Sequence, residues 1–167
     1  MVYIVVIYPE IDDSKIQQLR KKYSPYFNLI GPHLTIIFPF QDIDKKELLQ
    51  HISKVLKKWS SFDIQLKGLT RSFDNWLFLT VKKGNKKIIK LHDQLYAGLL
   101  KEHLHPTIKF IPHVGIGLCK NDKDYAKVET EAKALDLDYT CKVKSIHIAH
   151  LNDNLTKIDW SKKINFN

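Results

Sequence analysis

Hydrophobic residues in this chain recur with two spacings, the two-residue period of strands and the three- to four-residue period of helices. The first run, YIVVIYPE at residues 3–10, is rich in β-branched and aromatic residues and ends at a proline, which predicts a strand. Six further strands are predicted from the same pattern: one beginning at His33, one at 62–69, one at 75–81, one beginning at His113, one at 139–151 and one at 156–166.

Four stretches carry the helical spacing. The first, at 12–27, has Asp12, Asp13 and Ser14 as N-cap candidates. It must end near Ser24, because the residue before a proline disfavours the helical conformation. The other three helices are predicted at 42–59, 85–104 and 122–135.

The order of elements repeats along the chain. Each half contains a strand that starts with histidine, with a helix before it and a helix after it, and then further strands. This order predicts a duplicated, pseudo-two-fold arrangement with lobes at roughly 1–82 and 83–167. No linker or low-complexity tract separates the halves, so residues 1–167 are expected to form a single domain.

Composition is that of a globular protein without stabilising cross-links. The chain has 167 residues, of which 44% are hydrophobic, and this length suffices to bury a sizeable core. The apolar run at the N-terminus is too short to span a membrane and has no basic region before it, so neither a membrane anchor nor a signal peptide is expected. Cys119 and Cys141 lack metal-type spacing, which predicts reduced thiols in a cytoplasmic protein.

Charge adds a preference for anionic partners. Lysine and arginine number 27 against 18 aspartates and glutamates, a formal net charge of +9, and lysines cluster at 54–59 and 81–90. A positive field of this kind attracts nucleic acids, nucleotides or anionic membrane surfaces. The alternative is that these lysines are only the solvated faces of helices.

The two strands that start with histidine carry the candidate chemistry. They are found in GPHLTIIFPF at 31–40 and in IPHVGIG at 111–117. Because side chains alternate faces along a strand, His33 shares a face with Thr35, and His113 shares a face with Gly115. The opposite face of each strand is apolar. Each strand therefore offers an imidazole beside a hydroxyl or beside bare backbone.

Two imidazoles that converge on one cleft form an acid–base pair without a metal or cofactor. Histidine titrates near neutral pH, so one ring activates water or a hydroxyl while the other protonates a leaving oxygen. The Thr35 hydroxyl is a candidate donor to a phosphate oxygen, and Gly115 is a candidate for backbone contact with the anion. The alternative for each histidine is a structural role at a strand edge, satisfied by a backbone hydrogen bond.

The segments PHLTI and PHVGI resemble the paired His-x-Thr/Ser-x motifs of the 2H phosphoesterase superfamily, the 2′,5′-RNA ligase-like proteins and cyclic phosphodiesterases. Longer stretches, including YIVVIYPE and LRKKYSPYFNLIGPHLTIIFPF, resemble the bacterial YjcG-type branch of phosphoesterases, and the likeness covers nearly the whole chain. The resemblance assigns His33 and Thr35 to the first motif and His113 to the second. Gly115 departs from it, because Thr or Ser is expected there.

The resemblance implies an α+β, bilobal fold in which two antiparallel sheets line a central cleft and helices pack outside. It also implies metal-independent cleavage of a 2′,3′-cyclic phosphate or a related phosphodiester, with ligation of RNA ends as the reverse activity. The expected partners are RNA ends or nucleotides with a cyclic or terminal phosphate, with no membrane and no protein partner. The alternative is a catalytically weakened module that binds a nucleotide or RNA end in the same cleft. Which histidine is the acid is left open.

Further polar and aromatic residues are candidates beside these. Arg71, Phe73 and Trp76, in or after the turn TRSFDN, are candidates for gripping phosphate or stacking on a base, with packing at a hairpin end as the alternative. Several other side chains are expected to be structural or to lie at the surface: His51, His92, His103, His105, His147 and His150. His147 and His150 should point to opposite faces of their strand, so that at most one lines a cleft.

Overall fold

A computed structural model describes residues 2–152 and 154–167. Within these residues lie eight strands, four α-helices and one short 3₁₀ helix. In chain order they are β1 (Val2–Ile7), α1 (Ser14–Tyr23), β2 (Leu34–Phe40), α2 (Lys45–Leu56), β3 (Phe62–Arg71), β4 (Trp76–Lys83), α3 (Asn85–Tyr96), the 3₁₀ helix (Gly98–His103), β5 (His113–Leu118), α4 (Asp122–Ala134), β6 (Asp138–Val143), β7 (Ser145–Leu151) and β8 (Ile158–Asn165).

All eight strands form one antiparallel sheet in the order β6-β3-β4-β5-β2-β1-β7-β8. Its two four-stranded halves meet at β2 and β5, where the paired residues are Leu34 and Val114. The predicted α+β fold with two antiparallel sheets is confirmed, and the two sheets are the halves of one continuous sheet.

The halves of the sheet exchange strands. β3 and β4 lie with β5 and β6, whereas β7 and β8 lie with β1 and β2. The sheet therefore does not divide at the lobe boundary predicted between residues 82 and 83. The pseudo-two-fold relation instead matches β7-β1-β2 with β3-β4-β5, and the Leu34–Val114 pair lies between the two sets.

Two predicted elements are shorter than the sequence pattern indicated. The helix predicted at 85–104 ends at Tyr96, because Ala97 is extended and Gly98 adopts a positive φ of 74° before the 3₁₀ helix begins. The strand predicted at 139–151 is two strands, since β6 and β7 separate at Lys144 and lie in opposite halves of the sheet.

The sheet has one face covered by helices. The large core joins that face to apolar side chains of the four helices: Ile16 and Leu19 from α1, Leu48, Ile52 and Leu56 from α2, Ile88, Leu91 and Leu95 from α3, and Val128 and Ala132 from α4. A smaller apolar cluster includes Val2, Ile4 and Val6 of β1. Since Val6 is the register partner of Thr35, this cluster lies on the opposite face, which also carries the candidate polar residues.

The helices of the described residues include none that is long and apolar enough to cross a membrane. Cys119 and Cys141 are both free and buried.

The two glycines of β5 differ in the space that surrounds them. A Cβ built on Gly117 would lie 2.5 Å from Cβ of Tyr23 at the end of α1. A Cβ on Gly115 would make ordinary contacts of 3.5 Å with the Trp76 ring. Gly117 is therefore required by the close approach of α1 to β5, whereas Gly115 is not required by packing.

We predict that Gly117→Ala lowers the free energy of unfolding by about 1–3 kcal/mol, because the added methyl overpacks the α1–β5 contact. Gly115→Ala is the matched control and should change stability by less than about 1 kcal/mol in either direction. Urea unfolding followed by circular dichroism measures both. Equal destabilisation by the two substitutions would contradict this account of β5.

Candidate functional site

His33 and His113 lie on either side of the junction between the sheet halves. Leu34 and Val114 are register partners, and their strands are antiparallel. Continuing that register by one residue in each direction brings His33 beside Gly115 and Thr35 beside His113. The two motifs therefore lie side by side in antiparallel orientation. The imidazole of His33 is next to Gly115, and that of His113 is next to Thr35.

Both imidazoles are held in the same way. Nδ1 of His33 lies 2.8 Å from the carbonyl oxygen of Gly31, and Nδ1 of His113 lies 2.6 Å from that of Ile111. A carbonyl oxygen only accepts, so Nδ1 carries the proton and donates it in each bond. The neutral tautomer then has its lone pair on Nε2, which leaves one basic nitrogen on each ring for chemistry.

The prolines of the two motifs explain why this hydrogen bond recurs. Pro32 and Pro112 each stand between the acceptor residue and the histidine. Proline fixes φ near −65° and favours an extended residue before it, so both segments adopt the same bend. The repeated Pro-His pair in the sequence is the origin of the repeated Nδ1 contact.

Aromatic rings border both histidines. The Phe78 ring stacks on His113 with a centroid distance of 3.4 Å and an interplanar angle of 20°. The Tyr8 ring meets His33 edge-on at 6.3 Å and also meets His147 at 4.9 Å. These contacts fix the planes of the imidazoles and displace water from part of each ring.

Burial lowers the pKa of both histidines. For His33 the pKa falls to about 4, against an ordinary value of 6.5. The bond to Gly31 opposes this shift, while the positive charge of Arg20 and the presence of His113 add to it. For His113 the pKa is also lowered by burial, opposed by the bond to Ile111 and by the negative charge of Asp74.

Arg20 is the cation that separates the two histidines electrostatically. Its side chain is only 2% exposed, and Nη2 donates to the carbonyl oxygen of Ile30 over 2.7 Å. The positive charge of this buried guanidinium disfavours a second positive charge on His33. Burial, with Arg20 adding to it, makes His33 the more weakly basic ring, and Asp74 opposes the lowering of the pKa at His113.

Thr35 and Gly115 offer unequal groups to an anion. The Thr35 side chain is half-buried, and its hydroxyl makes no hydrogen bond to any other described residue. Gly115 contributes only backbone, and the Trp76 ring borders the space where its side chain would begin. The two motifs are alike in their histidines and differ in this position.

The three residues predicted around the β3–β4 turn have separate surroundings. Arg71 is engaged with α4, because Nη2 is 2.7 Å from Oδ1 of Asp122 and the guanidinium lies over the Tyr125 ring. Phe73 is 83% exposed at the hairpin tip. Of the three, the structure brings Trp76 to the candidate site, beside Gly115, while Arg71 has the hairpin-end packing that was the alternative.

Sequence patterns missed some neighbours of the site. Val6 pairs with both Thr35 and His147, so His147 lies on the face that carries the motifs, and His150 lies on the opposite face. Tyr8, between His33 and His147, was not predicted. The two-residue period would have indicated one face for His147, but only the pairing of β1 with β7 shows which face it is.

The other histidines lie in structural contacts or on the surface. His51 on α2 bonds the carbonyl oxygen of Leu95, His92 stacks on Phe110, and His105 accepts from backbone N–H groups of its own loop. Across residues 2–152 and 154–167, no three side chains of His, Cys, Asp or Glu are grouped to hold a metal ion.

We predict that NMR titration of the imidazole protons gives His33 a midpoint near pH 4 and His113 a midpoint below its ordinary value but above that of His33. Asp74→Asn should lower the pKa of His113 and leave that of His33 unchanged. Because the unfolded chain takes up the His33 proton first, the stability of the fold should decline as the pH falls from about 6.5 to about 4. A His33 midpoint at or above 6.5 would contradict the burial described here.

The chain is similar in sequence to known proteins over most of its length. The sequence model of the 2′-5′ RNA ligase superfamily matches residues 7–155. The chain is 29% identical over 163 residues to a Bacillus pumilus protein named "Putative phosphoesterase", covering 92% of this chain and 91% of that protein.

Solved structures share the fold at low sequence identity. TT0787 of Thermus thermophilus superimposes with a TM-score of 0.64 at 12% identity, covering 99% of both chains. Escherichia coli LigT, crystallised with 3′-AMP, gives 0.56 at 11% identity, covering 99% of this chain and 94% of LigT. Because the family match spans most of the chain and includes both histidine motifs, the protein belongs to the 2′-5′ RNA ligase superfamily.

Proposed function

We propose that this protein is a metal-independent phosphodiesterase that cleaves 2′,3′-cyclic phosphates or related RNA and nucleotide phosphodiesters by two-histidine acid–base catalysis. The observation that carries the proposal is the matched pair of imidazoles, each with Nδ1 bonded to a backbone carbonyl and with Nε2 making no hydrogen bond to any residue that the structure describes. They flank one antiparallel junction, and this supports a mechanism of in-line attack on phosphorus with one proton-transfer group on each side.

The unequal environments of the two rings assign their roles. His33 is neutral at physiological pH, so its Nε2 accepts the proton of an attacking water molecule. The water oxygen bonds to phosphorus as the bond to one ribose oxygen breaks. His113, whose pKa is lowered less than that of His33, reacts from its minor form with a proton on Nε2 and gives that proton to the leaving oxygen. The carbonyl of Ile111 accepts from Nδ1 throughout and favours the charged form of His113.

Hydrogen-bond donors of the two motifs stabilise the negative charge on the non-bridging phosphate oxygens. The Thr35 hydroxyl donates to one oxygen, and backbone N–H groups near Gly115 approach another. Ligation of RNA ends follows when a ribose hydroxyl takes the place of water: its oxygen bonds to phosphorus, His33 accepts its proton, and His113 protonates the ribose oxygen that leaves. In the reverse step, which re-forms the cyclic phosphate, the two histidines exchange roles.

The solved relatives are consistent with a nucleotide ligand. LigT is crystallised with 3′-AMP, a nucleoside phosphate with its phosphate on the ribose. The net charge of +9 favours such an anion here as well.

A second candidate function rests on Gly115. If the hydroxyl that it lacks is essential for turnover, the same cleft binds a nucleotide or an RNA end without cleaving it. Measuring turnover of 2′,3′-cyclic AMP beside binding of 3′-AMP separates the two functions, since only the phosphodiesterase gives a product.

We predict that His33→Ala and His113→Ala each lower kcat on 2′,3′-cyclic AMP by about 10²–10⁴-fold, because each removes a proton-transfer group. Activity should persist in excess EDTA. His105→Ala, which removes an exposed histidine outside the site, is the matched control and should retain activity. Loss of activity on chelation, with recovery on adding zinc or manganese, would overturn the metal-independent mechanism.

Substitutions at Gly115 isolate the missing hydroxyl. Gly115→Ser and Gly115→Ala both add a Cβ that contacts the Trp76 ring, and only serine adds a donor. We predict that Gly115→Ser turns over 2′,3′-cyclic AMP about ten- to a hundred-fold faster than Gly115→Ala, as a hydrogen bond formed to charge in the transition state allows. Thr35→Ala should lower kcat by a similar factor. Equal kcat for the serine and alanine variants would show that no hydroxyl is needed at this position.

A further inference from the structure

We propose that Tyr26 and Trp76 form the site that receives the nucleobase next to the phosphate held by His33 and His113. The inference rests on the proposed function, since it names the part of the substrate beside the reacting phosphate. Its observations are separate from those on the histidines.

The rings of Tyr26 and Trp76 are already stacked on each other in the protein and present an aromatic surface. Their planes differ by only 8°, and their centroids are 5.9 Å apart. Tyr26 is 50% exposed, although tyrosine has a large apolar ring. Because the pair is already parallel, a third planar ring can add to it without the cost of ordering either side chain.

The pair borders the proposed phosphate position. Cε3 and Cζ3 of Trp76 lie 3.5 Å from where a Cβ of Gly115 would be, and the strand register brings Gly115 beside His33. The absence of a side chain at Gly115 therefore uncovers the edge of the indole toward the histidines. Glycine at position 115, where the family motif has Thr or Ser, then has a function of its own. It exposes an aromatic surface to the substrate in place of a hydroxyl group.

Each ring is anchored to an element that carries a histidine or lies beside one. Tyr26 belongs to the segment between α1 and His33, and its carbonyl oxygen accepts from the backbone N–H of Ile30 over 3.2 Å. Arg20 holds Ile30 in turn through the carbonyl of that residue. Trp76 begins β4, the neighbour of β5, and its backbone N–H donates to Oγ of Ser72 over 2.8 Å. A base on this pair is thus fixed relative to both imidazoles.

The chemistry of the pair predicts a nucleoside phosphate with little preference among bases. Stacking on aromatic rings uses the π-face that every base has, and it tolerates sequence changes. The ligand class is therefore a ribonucleotide or an RNA end rather than a small phosphodiester without a ring.

The test compares two ligands that differ only in the base. Calorimetry with 3′-AMP and with methyl ribofuranoside 3-phosphate, in which a methoxy group replaces adenine, gives the affinity ratio due to the base. We expect wild type to bind 3′-AMP at least about ten-fold more tightly. Tyr26→Ala should remove about ten-fold of this preference by weakening 3′-AMP alone, and Tyr26→Phe should retain it. Tyr26→Leu, which keeps apolar volume without a ring, should behave like Tyr26→Ala.

The outcomes separate this inference from the proposed function. Equal binding of the two ligands by wild type, or an unchanged ratio in Tyr26→Ala and Tyr26→Leu, overturns the base site even if 2′,3′-cyclic AMP is cleaved. A ratio that depends on Tyr26 together with no turnover of 2′,3′-cyclic AMP keeps the base site and overturns the phosphodiesterase. Because Tyr26 is an exposed loop residue, thermal unfolding of its variants should match that of wild type.

Discussion

The antiparallel contact between Leu34 and Val114 is the constraint on which the rest of the site depends. It joins two four-stranded halves into one sheet, and the histidines precede the paired residues on both strands. A shift of this register by one residue would move every motif side chain to the other face. The apolar residues at both positions are completely buried in the helix-covered core, so the energy of core packing fixes the register that places the imidazoles.

The two halves of the sheet are arranged with a pseudo-two-fold symmetry, and the charges around the histidines differ between the halves. The Pro-His segments make the same Nδ1 contact on both sides. Burial lowers the pKa of both rings, and the charge of Arg20 adds to the lowering at His33 while the charge of Asp74 opposes it at His113. This difference allows one ring to act as base while its counterpart acts as acid, which two identical environments would not favour.

Local patterns predicted much of this structure, and the remainder depends on contacts between distant residues. The alternation around His33 and Thr35 indicated their common face, and Asp13, one of the three N-cap candidates in the sequence, is the N-cap residue of α1. No local signal shows that β3 and β4 lie in one half of the sheet with β5 and β6, or that β7 and β8 lie in the other half with β1 and β2. An apolar strand pairs equally well with any suitable neighbour.

Other features were hidden for related reasons. The continuous strand pattern at 139–151 conceals the break at Lys144, since β6 and β7 both favour extended structure. Tyr26 and Trp76 meet across a long stretch of chain, so their stacking has no periodic signature. The arrangement of the strands also has a consequence for folding. β1 pairs with β7, and most of the described chain lies between these two strands, so this half of the sheet closes only when residues far apart in the sequence meet. Contacts of such long sequence separation slow folding, so the sheet that carries the histidine pair is expected to form slowly.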